Sequence, residues 1–185
     1  MAQSRQRDFL TKHRFMATRQ VQVKESIFID LPKDKLWELT ALQFDKIGDW
    51  SAGVKASVGK GEGINGAVCL ERQCDPAYKG FKQTTERIIA HHPNDYHFTY
   101  QIVAGLPKMV VKATNQWTHL DEGNGTRLTM KVNMELKGLM GAIMKGPMQK
   151  KMGQVLKENL EELKVYAETG GLHNRKQKLN QQMNK

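Results

Sequence analysis

GKGEGINGAV, residues 59–68, is the stretch on which the fold turns, because Gly61-Glu-Gly63-Ile-Asn-Gly66 spells G-x-G-x-x-G with an acidic residue, Glu86, twenty positions further on. A dinucleotide turn needs a buried strand before it, a helix opening inside it and a parallel βαβ unit around it. Here the preceding VKASV alternates instead of being uniformly apolar, and the later segments to residue 136 read as antiparallel strand. AVCLERQC, 67–74, could be forced into a helix, but a lone βαβ followed by a meander would bury neither face of that helix well. The motif is therefore read as the glycine-rich turn between a second and a third strand, a tight and mobile hairpin. No nucleotide cofactor is expected, and Lys60 is no Walker lysine because the G-x-x-x-x-G-K-[ST] order is absent.

Outward from that turn the dominant period is two. In TRLTMKVNMEL, 126–136, Leu128, Met130, Val132, Met134 and Leu136 face one way and polar residues the other, the signature of a half-buried antiparallel strand. DYHFTYQIV gives an inward set of Tyr96, Phe98, Tyr100 and Ile102; KMVVKATNQWTHL gives Met109, Val111, Ala113, Asn115 and Trp117. The turn signals HHPND, AGLPK and DEGNG join these segments as a meander requires. Further strands are expected at 20–30, 53–58, 66–73 and 80–90, about seven in all.

Helical signals flank the sheet. PKDKLWELTAL, 32–42, opens on Pro32 with Asp34 in its first turn, and a short turn follows at 44–50. A long helix is expected from Pro147 to the Gly170-Gly171 stop, with an apolar stripe through Met148, Met152, either Val155 or Leu156, Leu160, Leu163 and Ala167. The segment before it, GLMGAIMKG at 138–146, reads as flexible.

At 185 residues the chain is expected to be one domain, spanning 19–169, between a basic arm at 1–18 and a disordered basic tail at 170–185. The net charge of +10 is concentrated outside the domain: residues 1–20 contribute +4, residues 170–185 another +4, and everything between only +2. That distribution suggests weak contact of the tails with an anionic membrane, or a solvated arm, and no specific nucleic acid. A short N-terminal helix through Phe9, Leu10, Phe15 and Met16 is the docking alternative. The apolar runs are too short to span a bilayer, and no apolar run follows the N-terminal charges, so a cytoplasmic location is expected. Cys69 and Cys74 would point to opposite faces of a strand and are read as free thiols.

Catalytic signatures are sparse. DWSAG, 49–53, approximates a nucleophile elbow but has Asp49 where the first glycine belongs, so Ser51 is a poor nucleophile. The six histidines show no H-E-x-x-H, and His91-His92 beside Pro93 read as solvated loop residues, so no metal site is expected.

The order of elements resembles the START-like (SRPBCC) superfamily, specifically its polyketide cyclase/dehydrase and lipid-transport branch, which includes plant pollen allergens. The resemblance is carried by SIFIDLPKDKLWELTALQFDKIGDW (26–50), TTERIIAHHPNDYHFTYQI (84–102), NGTRLTMKVNMEL (124–136) and ENLEELKVYAETG (158–170). It implies an α+β helix-grip fold, a curved sheet of about seven antiparallel strands wrapped around the C-terminal helix with an apolar cavity between them. Parity then nominates Trp50, Phe98, Tyr100, Trp117 and Met130 from the sheet side, and Met144, Met148 and Met152 from the helix, as ligand-binding residues, with Glu86 added among the residues that carry the resemblance; for any single one of them plain core packing is the favoured reading. Binding or transport of a small hydrophobic molecule such as a lipid, isoprenoid or aromatic polyketide is the first expectation. A cyclase or dehydratase is the alternative, with Glu25, Glu86, Tyr100 and Asn115 as acid/base candidates. Glu25 interrupts the Val21, Val23, Ile27, Ile29 face and is either buried there or exposed by a bulge; the facing of Glu86 is open.

Overall fold

The computed structural model describes residues 18–78 and 82–184. The expected basic arm, with its possible short helix, lies at 1–18 and falls outside the described residues except for Thr18. The described chain forms seven strands: β1 (Thr18–Ile29), β2 (Val54–Lys60), β3 (Glu71–Pro76), β4 (Thr84–His92), β5 (His97–Ala104), β6 (Val110–Glu122) and β7 (Gly125–Lys137). They make one antiparallel sheet in the order β1-β7-β6-β5-β4-β3-β2. The chain therefore leaves β1 at one edge and must reach β2 at the other. That crossing is made by α1 (Lys33–Trp37), a π-helical turn (Glu38–Leu42), a 3-10 turn (Phe44–Lys46) and α2 (Ile47–Trp50), which together plug one end of the curved sheet.

A long helix, α3 (Gly138–Thr169), packs over β1 and β7, completing the helix-grip arrangement. It ends at Gly170, whose left-handed φ of 69° lets its N–H return to the Tyr166 carbonyl at 2.9 Å. Its start differs from expectation. The helix already runs through 138–146, and Pro147 lies inside it. The missing proline N–H costs the single bond the Ile143 carbonyl would have accepted, and the flanking turns carry the helix past it. No described helix is long and apolar enough to cross a membrane.

On β7 the expected inward set, Leu128 to Leu136, is buried throughout, because its pairing with β1 has no irregularity. On β6 a bulge between Val110 and Lys112 shifts the phase, so Val110 is buried and Val111 is half exposed, against the simple alternation. Glu25 pairs in regular register with Met130 and faces the helix with Val23, so the bulge alternative fails.

The glycine-rich stretch joins β2 to β3 as expected, and β3 starts at Glu71, five residues later than read. The connection, over residues 61–70, is longer than a tight hairpin and is tethered to the crossing segment. The Val68 N–H donates to the Leu42 carbonyl at 2.8 Å, and Ala67 and Cys69 are buried. A Cβ on Gly63 would stand 1.9 Å from the Ala67 carbonyl oxygen, so the glycine there permits close backbone approach. No helix opens at the motif and β2 pairs antiparallel with β3, which removes the βαβ context of a dinucleotide fingerprint.

The tail expected to be disordered instead carries α4 (Asn174–Met183). With few apolar residues it is held by charge: Arg175 Nε reaches Glu162 Oε1 at 2.7 Å, and the buried Lys176 Nζ donates to the Val54 carbonyl at 2.8 Å.

Candidate functional site

Because α1 and α2 fill one end of the sheet, open space survives at the other. Trp37 stands edge-on to Phe98 and His119, with ring centroids 5.9 and 5.3 Å away, while Phe44 lies 5.6 Å from Tyr100. Beyond Tyr100 the aromatic wedge stops. A cavity of about 220 Å³ opens there between α3 and strands β3 to β7, with Gly53, Val54 and Tyr78 also in its lining.

The cavity brings together Glu86, Tyr100, Asn115, Met130 and Met152 among the residues nominated from sequence. Trp50, Phe98 and Trp117 do not line it; all three are buried in the core, Phe98 and Trp117 in the aromatic cluster around Trp37. Met148 packs partly buried against the core and Met144 is half-buried on the helix, both outside the lining. Glu25 lies elsewhere, beneath Gly153, whose added Cβ would come within 3.7 Å of Glu25 Oε1. Met134, Ile102 and Leu156 complete the apolar wall.

The principal residue that sequence reasoning missed is Arg72. It is 3% exposed and lies directly across from Glu86 in the β3–β4 register. Its Nε donates to Glu86 Oε2 at 2.8 Å, its Nη2 lies 2.7 Å from the same oxygen, and its Nη1 donates to the Phe44 carbonyl at 2.7 Å. The guanidinium also sits 4.0 Å from the Phe44 ring centroid and 5.0 Å from that of Tyr100. Burial is the largest single influence and pulls the Arg72 pKa down, but the charge of Glu86, the neighbouring Cys74 and Tyr100 and the hydrogen bond to Glu86 together outweigh it and keep the group charged. A buried ion pair of this kind contributes little net stability, yet losing either partner strands a charge. The available signal was parity, since Arg72 shares its strand face with Cys74.

Two further groups give the cavity a polar corner. Asn115 Nδ2 donates to Tyr100 Oη at 3.0 Å, and Asn115 Oδ1, on a side chain 7% exposed, is left without a hydrogen-bond partner. The Tyr100 hydroxyl, having accepted from Asn115, keeps its own proton to donate. Burial, reinforced by the Glu86 charge, raises the Tyr100 pKa, so the phenol stays protonated at neutral pH. The same two causes push the Cys74 thiol up to about 12. The corner thus offers one O–H donor and one amide acceptor side by side, in an otherwise apolar space.

The matching family, described as polyketide cyclase/dehydrase and lipid transport, covers residues 20–168. The chain belongs to that family. No curated protein sequence matches it significantly. Among solved structures, the Zhui aromatase/cyclase from Streptomyces sp. R1128 superposes with a TM-score of 0.68 at 13% identity, covering 84% of this chain and all, 100%, of the other. Ara h 8.0201 gives 0.63 at 15% identity over 80% and 98%. XoxI from Bacillus cereus gives 0.61 at 15% over 78% and 93%. At these identities the likeness is one of fold.

In this polyketide cyclase/dehydrase-family chain a second chamber of about 300 Å³ adjoins the first, sharing Gly53, Val54, Tyr78, Val155 and Asn159 with it. Glu162, 2% exposed, anchors its wall: Oε2 accepts from the Ala52 N–H at 2.8 Å and Oε1 from Arg175 of α4. Ser51, set aside as a nucleophile, accepts from Asn159 Nδ2 at 2.9 Å and from the Gly53 N–H at 3.2 Å. His91 differs from its reading as a solvated residue: it is buried at 4% exposure, turned inward by the bulge between Ile88 and Ala90. Among the described residues no cluster of His, Cys, Asp and Glu could hold a metal ion.

Proposed function

We propose that this protein binds a small hydrophobic molecule in the cavity under α3, with an oxygen-bearing end of the ligand against Tyr100 and Asn115. The observation that carries the reading is the unpartnered Asn115 Oδ1 beside the Tyr100 hydroxyl in an apolar chamber. A buried acceptor without a partner costs about 1–3 kcal/mol, which a ligand hydroxyl would recover. A ligand carbonyl or ether oxygen would accept from Tyr100. The chamber, at about 220 Å³, is below the roughly 300–1,000 Å³ of drug-sized sites, so it suits a compact guest. Met130, Met134 and Met152 give its wall an adjustable shape for larger ones.

The test is solvent extraction of the purified protein with mass spectrometry of what is released, followed by displacement of anilinonaphthalene sulfonate by any compound found. Replacing Ala113 on the cavity wall by leucine should block probe binding without unfolding the chain, and Tyr100→Phe or Asn115→Leu should weaken an oxygenated ligand about 5- to 20-fold. Probe binding unaffected by Ala113→Leu would sink the reading.

A cyclase or dehydratase is the second reading, favoured by the Glu86 carboxylate sharing a cavity with the Tyr100 phenol. It has less support, because Glu86 is tied to Arg72 and Glu25 lies outside the cavity. Conversion of a poly-β-ketone substrate that Glu86→Gln abolishes, with binding retained, would establish it over the first.

A further inference from the structure

The first turns of α3 are apolar on the side that faces away from the protein. Gly141 is buried and fixes the inward side, since a Cβ there would come within 2.9 Å of Leu136 Cβ. On the outward side Leu139, Met140 and Ile143 are 66%, 58% and 60% exposed, and Ala142, Gly146 and Pro147 around them are exposed too. Large apolar groups concentrated this way mark an interaction surface. Along α3 itself the charged residues beside and beyond the patch are all basic, while Glu25 of β1 shares a surface groove with Gly146 and Lys150. Between Glu135 and Glu158 the sequence has Lys137, Lys145, Lys150, Lys151 and Lys157 and no acidic residue. The β5–β6 loop is tied to the same place by the Lys137 N–H donating to the Met109 carbonyl at 2.9 Å, and it adds the exposed Lys108, again with no acid from Tyr96 to Leu120.

We infer that this tip of α3 is a docking site for an anionic phospholipid bilayer, with Leu139, Met140 and Ile143 inserted below the headgroups and the lysines reaching lipid phosphates. The chemistry selects this occupant. An apolar tip collared by lysines matches a layer that is negative outside and hydrocarbon beneath, and lysine stems can lie along the apolar surface while their ammonium groups stay in the headgroups. From Leu139 to Pro147 the helix advances only about 12 Å at 1.5 Å per residue, the scale of interfacial insertion and far short of a span. A second copy fits poorly, because a two-fold contact would set lysine collar against lysine collar. Nucleic acid would leave the apolar tip unmatched. The inference is independent of what the cavity holds.

Flotation of the full chain with vesicles of phosphatidylcholine containing 30% phosphatidylglycerol tests it, with pure phosphatidylcholine vesicles as the comparison. Binding is expected to the anionic vesicles only, to weaken with salt, and to fall at least tenfold in L139D/I143D and several-fold in K145E/K150E. These positions are exposed, so unchanged far-UV and near-UV circular dichroism should show the fold intact. In Ile143→Trp, indole emission should shift to the blue on anionic vesicles and be quenched by brominated lipid. Equal binding by L139D/I143D, or an unshifted Ile143→Trp, would overturn the inference by leaving the attraction to charge elsewhere in the chain. A concentration-dependent dimer in sedimentation velocity, dissolved by L139D/I143D, would overturn it in favour of a second copy.

Discussion

Arg72 and Glu86 face each other across β3 and β4, and two guanidinium nitrogens fall within 2.8 Å of a single carboxylate oxygen, Oε2. A third nitrogen holds the Phe44 carbonyl, so one side chain joins the sheet to the segment that crosses from β1 to β2. Arg72→Met should cost about 3–5 kcal/mol, since it leaves the carboxylate buried without its partner. Adding Glu86→Gln should recover part of that loss. Urea unfolding of both singles and the double measures the coupling, and additivity would show that the pair does not interact energetically.

His119 ties stability to pH. It is 1% exposed; its Nδ1 donates to the Tyr96 carbonyl at 3.0 Å and its Nε2 lies 2.8 Å from Thr40 Oγ1. Burial, with a smaller contribution from Lys33, pulls its pKa down from 6.5 to about 4. Below pH 6.5 the unfolded chain therefore takes up a proton that the folded chain refuses. The contribution is full above that pH and is lost as pH falls toward 4, on the order of 3 kcal/mol in total. His91, also lowered by burial, acts in the same sense. Urea midpoints from pH 7.5 to 4 should fall steadily, and His119→Gln should flatten the slope while lowering stability at pH 7.

Glu162 should control whether α4 stays docked. It accepts from Arg175 and from the Ala52 N–H, and Arg175 Nη2 also bonds the Glu158 carbonyl at 2.9 Å. In Glu162→Ala the amides of Gln177 to Met183 should exchange at least tenfold faster with solvent, while those of β7 are unchanged. Equal exchange in the two proteins would show that the remaining contacts of Arg175 with Glu158 and Glu161, with Lys176, suffice to hold the helix.

Gly63→Ala should destabilise the chain by roughly 1–3 kcal/mol, because the loop must open to admit a methyl group. The loop does not line the cavity, so ligand affinity should be retained. A thermal melt unchanged from the parent would show that the loop yields freely.

Alternation made the sheet legible wherever strands pair without interruption. Leu128 to Leu136 is the clearest case, and Tyr100, Asn115, Met130 and Met152 follow from the same logic once α3 is placed over the sheet. What failed did so for local reasons. Val111 was misplaced by one bulge, and Phe98 and Trp117 belong to the core because Trp37 and Phe44 occupy their end of the sheet. Arg72 stayed hidden because an arginine in a strand reads as solvent-facing until the register supplies Glu86 opposite. Helix α4 was missed because apolar periodicity is blind to a helix whose anchors are two cations.

The two thiols offer a way to watch this protein breathe. Cys74 lines the cavity with its pKa pushed up to about 12, and Cys69, also raised by burial and the nearby Asp45, is buried within the β2–β3 connection with its sulfur against Gly59. Neither can react with an alkylating reagent while covered, so each labelling rate becomes a clock for one local opening. Peptide mapping would read the two clocks separately, and a guest in the cavity should slow that of Cys74 while that of Cys69 keeps its pace.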